Sequence, residues 1–439
     1  MSTPPSVVVV GAGIAGLAAA VRLKASGAEV RVLAPEPPGG KARTHVKGDR
    51  RFEHGPHSFT HRSDALFALA GELRIADRVV KLGEAASARY LVRGGKLKKL
   101  GPFAFGPGEL FDIARGLFRD VGVPDGETVR GFLAARFGEG FADGPGDAMC
   151  TGIWASSPAE LEMETAFPAI VAGVRAHGSL WAAVRRMPKA SRPTGTYALR
   201  GGMGAFGEGA AQVLGERAIV SCAVERVTRE GRGWLVDTSG GQVRADGLVL
   251  ATNAVRSAEL LAELAPAAAE RLRTIRYAPI AVAHWTSPDA AWPRGFGWLS
   301  PFAEGRAALG TLFTSDVLEG RAPAGMRSFA TMFGGTRRPD DVTLDAQAIA
   351  GRVRADHEAL TGKPVTIAEI EVVRHAQAVP VPEPGHLARV AAIHAATPEG
   401  MALAGAWCGA GAMEDAARAG QVAAASLRRL STPGRIHAA

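Results

Sequence analysis

The sequence predicts an α/β protein organised around a parallel, dinucleotide-binding βαβ unit, and three observations predict it. Four consecutive valines, 7 to 10, run into Gly11-x-Gly13-x-x-Gly16 and then an alanine-rich segment: a strand buried on both faces, a tight turn and a helix start. Gly27-Ala-Glu-Val-Arg-Val-Leu33 follows as a turn and a second strand one helix length later. Far downstream, Asp246-Gly-Leu-Val-Leu-Ala251-Thr252 reads as a strand returning to the same sheet.

Each glycine of the triplet has its own steric task. Gly11 makes the turn, Gly13 lets the backbone approach a pyrophosphate, and Gly16 lets the helix pack close to its strand. The helix start at Ile14 and Ala15 turns amide groups toward the phosphates. With 439 residues the chain is too long for one simple core, and its length points to two or three domains. Hydrophobic residues at 47% and charged residues at 21% supply a core without extended disorder. The formal net charge of +8 is dispersed, which suits an anionic ligand or an acidic membrane surface, and no nucleic-acid motif accompanies it. Cys150, Cys222 and Cys408 stand far apart and read as reduced, structural thiols of a cytoplasmic protein. The apolar run from Val7 to Leu23 is neither a signal peptide nor a membrane span, since no Lys or Arg precedes it and three glycines interrupt it.

The second strand ends where a dinucleotide fingerprint expects an acid for the ribose, but Ala34 stands there and Glu36 arrives only after Pro35. Either Glu36 reaches back from the loop, or the ribose is held by backbone alone. Gly39-Gly40-Lys41 then offers a second glycine pair with a cation, suited to a second grip on a pyrophosphate. In Phe52-Glu-His-Gly-Pro-His-Ser-Phe59, the histidines 54 and 57, with His61 beyond, read as an ordinary loop, because Gly55 and Pro56 break any ligand spacing; no metal is expected. Between Phe103 and Pro188 the pattern becomes helical, including 111–118 and 129–137. A helix is expected from Ala205 to Leu214, followed by strands over 219–228, 233–238 and 242–251.

Taken in order, the glycine fingerprint, Gly-Gly-Lys and Phe-Glu-His-Gly-Pro-His-Ser-Phe resemble the flavin amine-oxidase superfamily, and within it the protoporphyrinogen oxidase family. Ala88-Arg-Tyr-Leu-Val-Arg-Gly-Gly-Lys-Leu97, Gly152-Ile-Trp-Ala-Ser-Ser-Pro-Ala-Glu-Leu161 and the C-terminal Leu403-Ala-Gly-Ala-Trp407 extend the resemblance over nearly the whole chain. It implies a glutathione-reductase-like, Rossmann-type FAD-binding domain with a mixed α/β substrate domain and a helical cap. The expected boundaries are 1–85, 200–265 and 386–439 for FAD, 86–100, 180–199 and 266–385 for substrate, and 101–179 for the cap. Beyond the glycines, Ile14, Ala15, Glu36 and Lys41, the resemblance places Gly55, Pro56, His57, Val224, Ala251, Gly405, Ala406 and Met413 at the FAD. Val224 would meet the adenine through its backbone. Where the family often has Gly-Asn, this chain has Gly405-Ala406, and one polar contact is lost.

The chemistry so implied is removal of six electrons from protoporphyrinogen IX in three two-electron steps. FAD carries the reaction, oxygen reoxidises it with release of hydrogen peroxide, and no side chain is assigned a catalytic role. Arg89 would take a propionate, and Leu299, Leu312 and Met332 would line the tetrapyrrole pocket, Met332 replacing an aromatic. By themselves these residues read as a solvated strand-edge arginine and plain core. Coproporphyrinogen, an amine or a polyene remain rival substrates, and a non-enzymatic lipid carrier shares the architecture. In the family the helical region touches the membrane, so peripheral membrane contact stands beside a purely buried cap as an option, and a homodimer is another.

Overall fold

The structure, a computed structural model, describes residues 4–427. Residues 1–3 and 428–439, assigned above to the FAD domain, lie outside the described residues. The fingerprint folds as β1 (Ser6–Val10), α1 (Ile14–Ala25) and β2 (Glu29–Ala34). β1 is central in a five-stranded parallel sheet: Ile219–Ser221, β2, β1, Gly247–Leu250 and Met401–Leu403. Val7 and Val9 face one hydrophobic core and Val8 and Val10 another, which is why the strand carries no polar alternation.

The helix Met413–Leu427 closes the domain by packing on α1. Both surfaces are built from alanine and glycine, and the contact is tightest at Gly420, where a Cβ would stand 2.1 Å from the Ala15 carbonyl oxygen.

Two expected strands divide, each for a physical reason. Residues 219–228 split because Ser221 pairs in parallel with Ala34, whereas Val224 pairs with Thr238 in a separate antiparallel sheet. One straight strand cannot serve both. Residues 242–251 split at Asp246, whose carboxylate leaves the sheet to accept hydrogen bonds from the Ser6 amide at 2.8 Å and hydroxyl at 2.9 Å.

A seven-stranded mixed sheet forms the second domain, in the order Glu369–Pro380, Tyr277–Ser287, Arg327–Gly334, Gly310–Leu312, Gly297–Leu299, Arg89–Arg93 and Lys96–Lys99. One face packs Trp285, Trp298, Phe313, Phe329 and Phe333 with Ile349 and Val353 of the helix Ala346–Thr361. The other face looks toward the FAD domain. Helices between Pro107–Phe118 and Leu180–Arg186 make the cap, with a core including Phe132, Trp154 and Val171.

The segment 180–199 does not join the large sheet as expected. Its helix Leu180–Arg186 packs within the cap, and its strand Thr196–Leu199 pairs with Phe59–Thr60 and Val79–Lys81. The cap is latched to the FAD domain by Trp154, whose Nε1 donates to the Ala410 carbonyl at 2.5 Å.

Gly420→Leu should drive a side chain into the α1 backbone and lower stability by about 1 to 3 kcal/mol. Thermal unfolding of the two proteins, read alongside the bound flavin retained, checks this.

Candidate active site

The glycines of the fingerprint are held where their sequence roles require. Gly11 has φ +103°, and a Cβ there would press within 2.7 Å of the Ala251 carbonyl oxygen. At Gly16 a Cβ would stand 1.9 Å from the Gly11 oxygen, so this glycine is what brings α1 against its strand. At Gly13, by contrast, nothing lies within 4 Å of such a Cβ. The backbone there faces open space, and the first turn of α1 carries neither an acidic residue nor a side-chain cap. The second glycine pair packs on the first: the Gly39 amide donates to the Ala12 carbonyl at 2.8 Å, and a Cβ at Gly40 would stand 3.0 Å from Gly13 Cα. An uncapped helix start beside two side-chain-free loops fits a diphosphate.

Lys41 extends from this cradle, its ammonium donating to the carbonyls of Gln377 and, at 2.7 Å, Ala378. Burial of the ammonium lowers its pKa to about 8. Lys41 thus ties the cradle to the edge strand of the large sheet. Glu36 is drawn to Arg43, with 2.5 Å between carboxylate and guanidinium. The carbonyl of Val224 accepts from Arg256 at 2.6 Å, leaving it one free lone pair. Gly405 packs on the Trp407 indole, and Ala406 opens the short turn Ala406–Cys408. Met413 opens the last helix; the next two residues, Glu414 and Asp415, use their carboxylates to cap Ala65, Leu66 and Ala412.

Gly55 packs on Lys41, where a Cβ would stand 2.9 Å from the lysine carbonyl. His57 is buried, and its ring centroid lies 5.8 Å from that of His284. Burial, aided by Arg321, lowers the His57 pKa to about 3, and burial holds His284 well below its ordinary value. Beside them sits a feature the sequence pattern did not disclose: Glu53 and Arg321, both buried, 2.6 Å apart. Glu53 Oε2 also accepts from Thr44 Oγ1 at 2.6 Å and from the Met203 amide at 3.2 Å. The only hint in sequence was an acid within an otherwise aromatic and histidine-rich motif.

The four expected substrate residues are distributed over four strands of the large sheet, and register brings them onto one face. Arg89, Gly297, Leu312 and Ala330 form one cross-strand row; Leu91, Leu299, Gly310 and Met332 form the next. Arg89 is exposed at one end, its guanidinium 4.4 Å from the Phe296 ring centre and donating to Thr196 Oγ1 at 3.0 Å. It has no carboxylate partner among the described residues, and burial along the cleft lowers its pKa. Leu299 and Met332 are half-buried. The cap meets this face at Leu299, against which Gly152 packs so closely that a Cβ would lie 2.6 Å from Leu Cδ1. Leu312 is 8% exposed and belongs to the core shared with the FAD domain, so it supports the floor more than it lines it. Among the described residues no group of three or more His, Cys, Asp or Glu is placed to hold a metal.

A dinucleotide cradle on a parallel sheet, facing a second sheet across a capped cleft, defines a class of two-domain proteins that bring a redox dinucleotide to an enclosed substrate. Residues 14–428 match the flavin containing amine oxidoreductases, and the chain belongs to that family; its cofactor is FAD. It is 26% identical to the chloroplastic protoporphyrinogen oxidase of Nicotiana tabacum over 403 residues, covering 81% of this chain and 72% of that one. It is 28% identical to coproporphyrinogen III oxidase of Mycobacterium tuberculosis (strain ATCC 25618 / H37Rv) over 429 residues, covering 92% and 93%. The fold matches a crystal structure from Exiguobacterium sp. 255-15, provisionally named a protoporphyrinogen oxidase, with TM-score 0.84, 20% identity and coverage of 98% and 100%. It also matches cyclohexylamine oxidase from Brevibacterium oxydans IH-35A, with TM-score 0.74, 18% identity and coverage of 98% and 99%.

Because the folded state holds His57 neutral, it takes up that proton only near pH 3, whereas the unfolded chain does so near 6.5. The stability this burial permits is complete above pH 6.5 and is lost as pH falls toward 3. Over this window His57→Asn should flatten the stability profile by up to about 1.4 kcal/mol per pH unit, measured by denaturant unfolding.

Proposed function

We propose that the protein oxidises a porphyrinogen to the corresponding porphyrin, with protoporphyrinogen IX as substrate, FAD as immediate electron acceptor and oxygen as the final one, giving hydrogen peroxide. The observation that carries this reading is the shared face of Arg89, Leu299 and Met332. Leu91, Leu312 and Ala330 of these rows are buried, which leaves Leu299 and Met332 as a half-buried apolar surface with a guanidinium at one end. Such a surface suits a flat macrocycle carrying a carboxylate.

When bound, FAD accepts a hydride from substrate carbon. The chain's own part is to bind and orient. Phe296 and Thr196 fix the Arg89 guanidinium, which presents its remaining donors to a propionate. Leu299 and Met332 carry the apolar ring system, and the cap helix Asp147–Trp154 limits water above them. The cradle at Gly11, Gly13, Ile14, Ala15, Gly16, Gly39 and Gly40 would hold the diphosphate of FAD. We place Val224 at the adenine, and Gly55, Pro56, His57, Ala251, Gly405, Ala406 and Met413 along the rest of the cofactor. The burial of Trp407, 1% exposed in the core beneath the parallel sheet, weighs against an amine-oxidising site walled by aromatic residues at this turn.

Coproporphyrinogen is the second reading, favoured by the nearly end-to-end match with the mycobacterial relative. Anaerobic mixing of the holoprotein with each porphyrinogen and with an aliphatic amine separates these. The reading expects the flavin to bleach with protoporphyrinogen and its colour to return when oxygen is admitted. Bleaching by coproporphyrinogen alone transfers the assignment to the second reading, and an unreduced flavin with both porphyrinogens ends it. In the same assay Arg89→Ala should weaken substrate binding by about 1.5 to 3 kcal/mol while turnover changes little.

The cap also supports contact with a membrane. Phe103 is 100% exposed, Phe111 68% and Phe118 60%, and exposed lysines 96, 98 and 99 lie on the strand that leads to them. No helix among the described residues is long and apolar enough to cross a bilayer, so the contact would be interfacial. Co-sedimentation with anionic vesicles should fall sharply in a Phe103→Glu, Phe111→Glu double variant and hold in the unmodified protein.

A further inference from the structure

On the seam between the cap and the large sheet, three guanidinium groups line one recess, two of them stacked on the same aromatic ring. Arg306, Arg337 and Arg338 line the mouth of this small recess, about 20 Å³ in volume and open to solvent, together with Thr151, Ala155 and Phe302. The guanidinium carbons of Arg337 and Arg338 lie 4.5 and 5.3 Å from the centre of the Phe302 ring, which fixes their planes and leaves N–H edges to be satisfied.

The charges here do not cancel. Arg337 is taken by Asp147, at 2.6 and 3.1 Å, and by Thr151 Oγ1 at 2.7 Å. The other acid, Asp356, spends its oxygens on the amides of Ala308 at 2.9 Å and Ala307 at 3.4 Å. It comes no nearer to Arg306 than 4.0 Å. Arg338 donates to the Arg306 carbonyl at 2.9 Å and meets no carboxylate among the described residues. Arg338 also reaches the Ala307 carbonyl and Arg306 the Glu304 carbonyl, which leaves Nε and Nη2 of Arg338 and Nη2 of Arg306 for a ligand, with Asp356 the carboxylate whose charge both feel.

The seam is also held rigidly. Ala155 adopts φ +52°, a left-handed conformation uncommon outside glycine, and its carbonyl accepts from the Thr336 amide at 2.9 Å, next to Arg337. The arginines thus hang from a strand end fastened to the cap helix that carries Thr151.

We propose that this recess is a binding site for a small oxyanion, a carboxylate or phosphate group, clamped between Arg306 and Arg338 and sealing the cap to the sheet. Guanidinium forks match both chemistries bidentately. The recess adjoins the Arg89 face, since Ser300, Leu309 and Gly334 line it and continue the strands that carry Leu299, Gly310 and Met332, but it shares no residue with that face or with the FAD cradle.

Holoprotein, with FAD filling the other phosphate site, is titrated at constant ionic strength with inorganic phosphate and, separately, succinate, following melting temperature and heat of binding. The expected result is a saturable response to at least one of them, weakened at least about tenfold in both Arg338→Met and Arg306→Met. Flavin absorbance reports that each variant is folded, and Arg338→Lys provides a charge-retaining version should Arg338→Met fail to hold the cofactor. The responding probe identifies the source as phosphate or carboxylate. No saturable response to either anion, or equal binding by wild type and both variants, overturns the proposal.

Discussion

The carboxylate of Glu53 joins four parts of the chain that must agree for a cleft to exist. It accepts from Thr44, just beyond the Gly39–Gly40 loop, and from Met203 in a glycine turn, and it faces Arg321 from the large-sheet domain. The turn must be glycine-built: at Gly202, φ +112°, a Cβ would lie 2.2 Å from Thr44 Oγ1 and 2.8 Å from Glu53 Oε1. Removing either charge would strand the other away from water, a penalty of about 3 to 5 kcal/mol, whereas replacing both with well-packed apolar groups need not destabilise at all. The pair is thus better understood as fixing which arrangement of the two domains is allowed than as adding stability to it.

With that arrangement fixed, the two sheets divide the work. The parallel sheet is buried on both faces and offers only its strand ends, so what it presents to a ligand is turns and a helix start, that is, backbone. The mixed sheet buries its aromatic face against a helix and carries Arg89, Leu299 and Met332 on the other, so what it presents there is side chains. Small residues in the cross-strand rows keep that face level. Gly297 is forced to be small by its own sheet, since a Cβ would strike the Thr311 oxygen at 2.1 Å.

The parallel domain was legible because its signals are local: a strand apolar on every residue, a glycine triplet and a helix start all lie within a short stretch. That Arg89, Leu299, Leu312 and Met332 share one face of the second domain could not be read from the residues alone, because their rows exist only once four strands are put in register. The Glu53–Arg321 pair was not read: Glu53 stands in a distinctive motif, but its partner lies 268 positions away with nothing in its own neighbourhood to mark it. Strand boundaries failed where two sheets competed for one segment, at Ser221 and Val224, and where a polar anchor, Asp246, interrupted an apolar run.

The glycine-to-alanine contact between α1 and Met413–Leu427 also sets an order of events during synthesis. The cradle and β2 open the chain, yet the remaining strands of the sheet arrive at 219–221, 247–250 and 401–403, and the helix that backs it comes later still. Until those segments leave the ribosome, the Gly11–Gly16 loop has no finished sheet and no closing helix. FAD can therefore be captured tightly only after nearly the whole chain has been made. The nascent protein must carry an unshielded apolar β1 through most of its translation, a long exposure that favours help from chaperones.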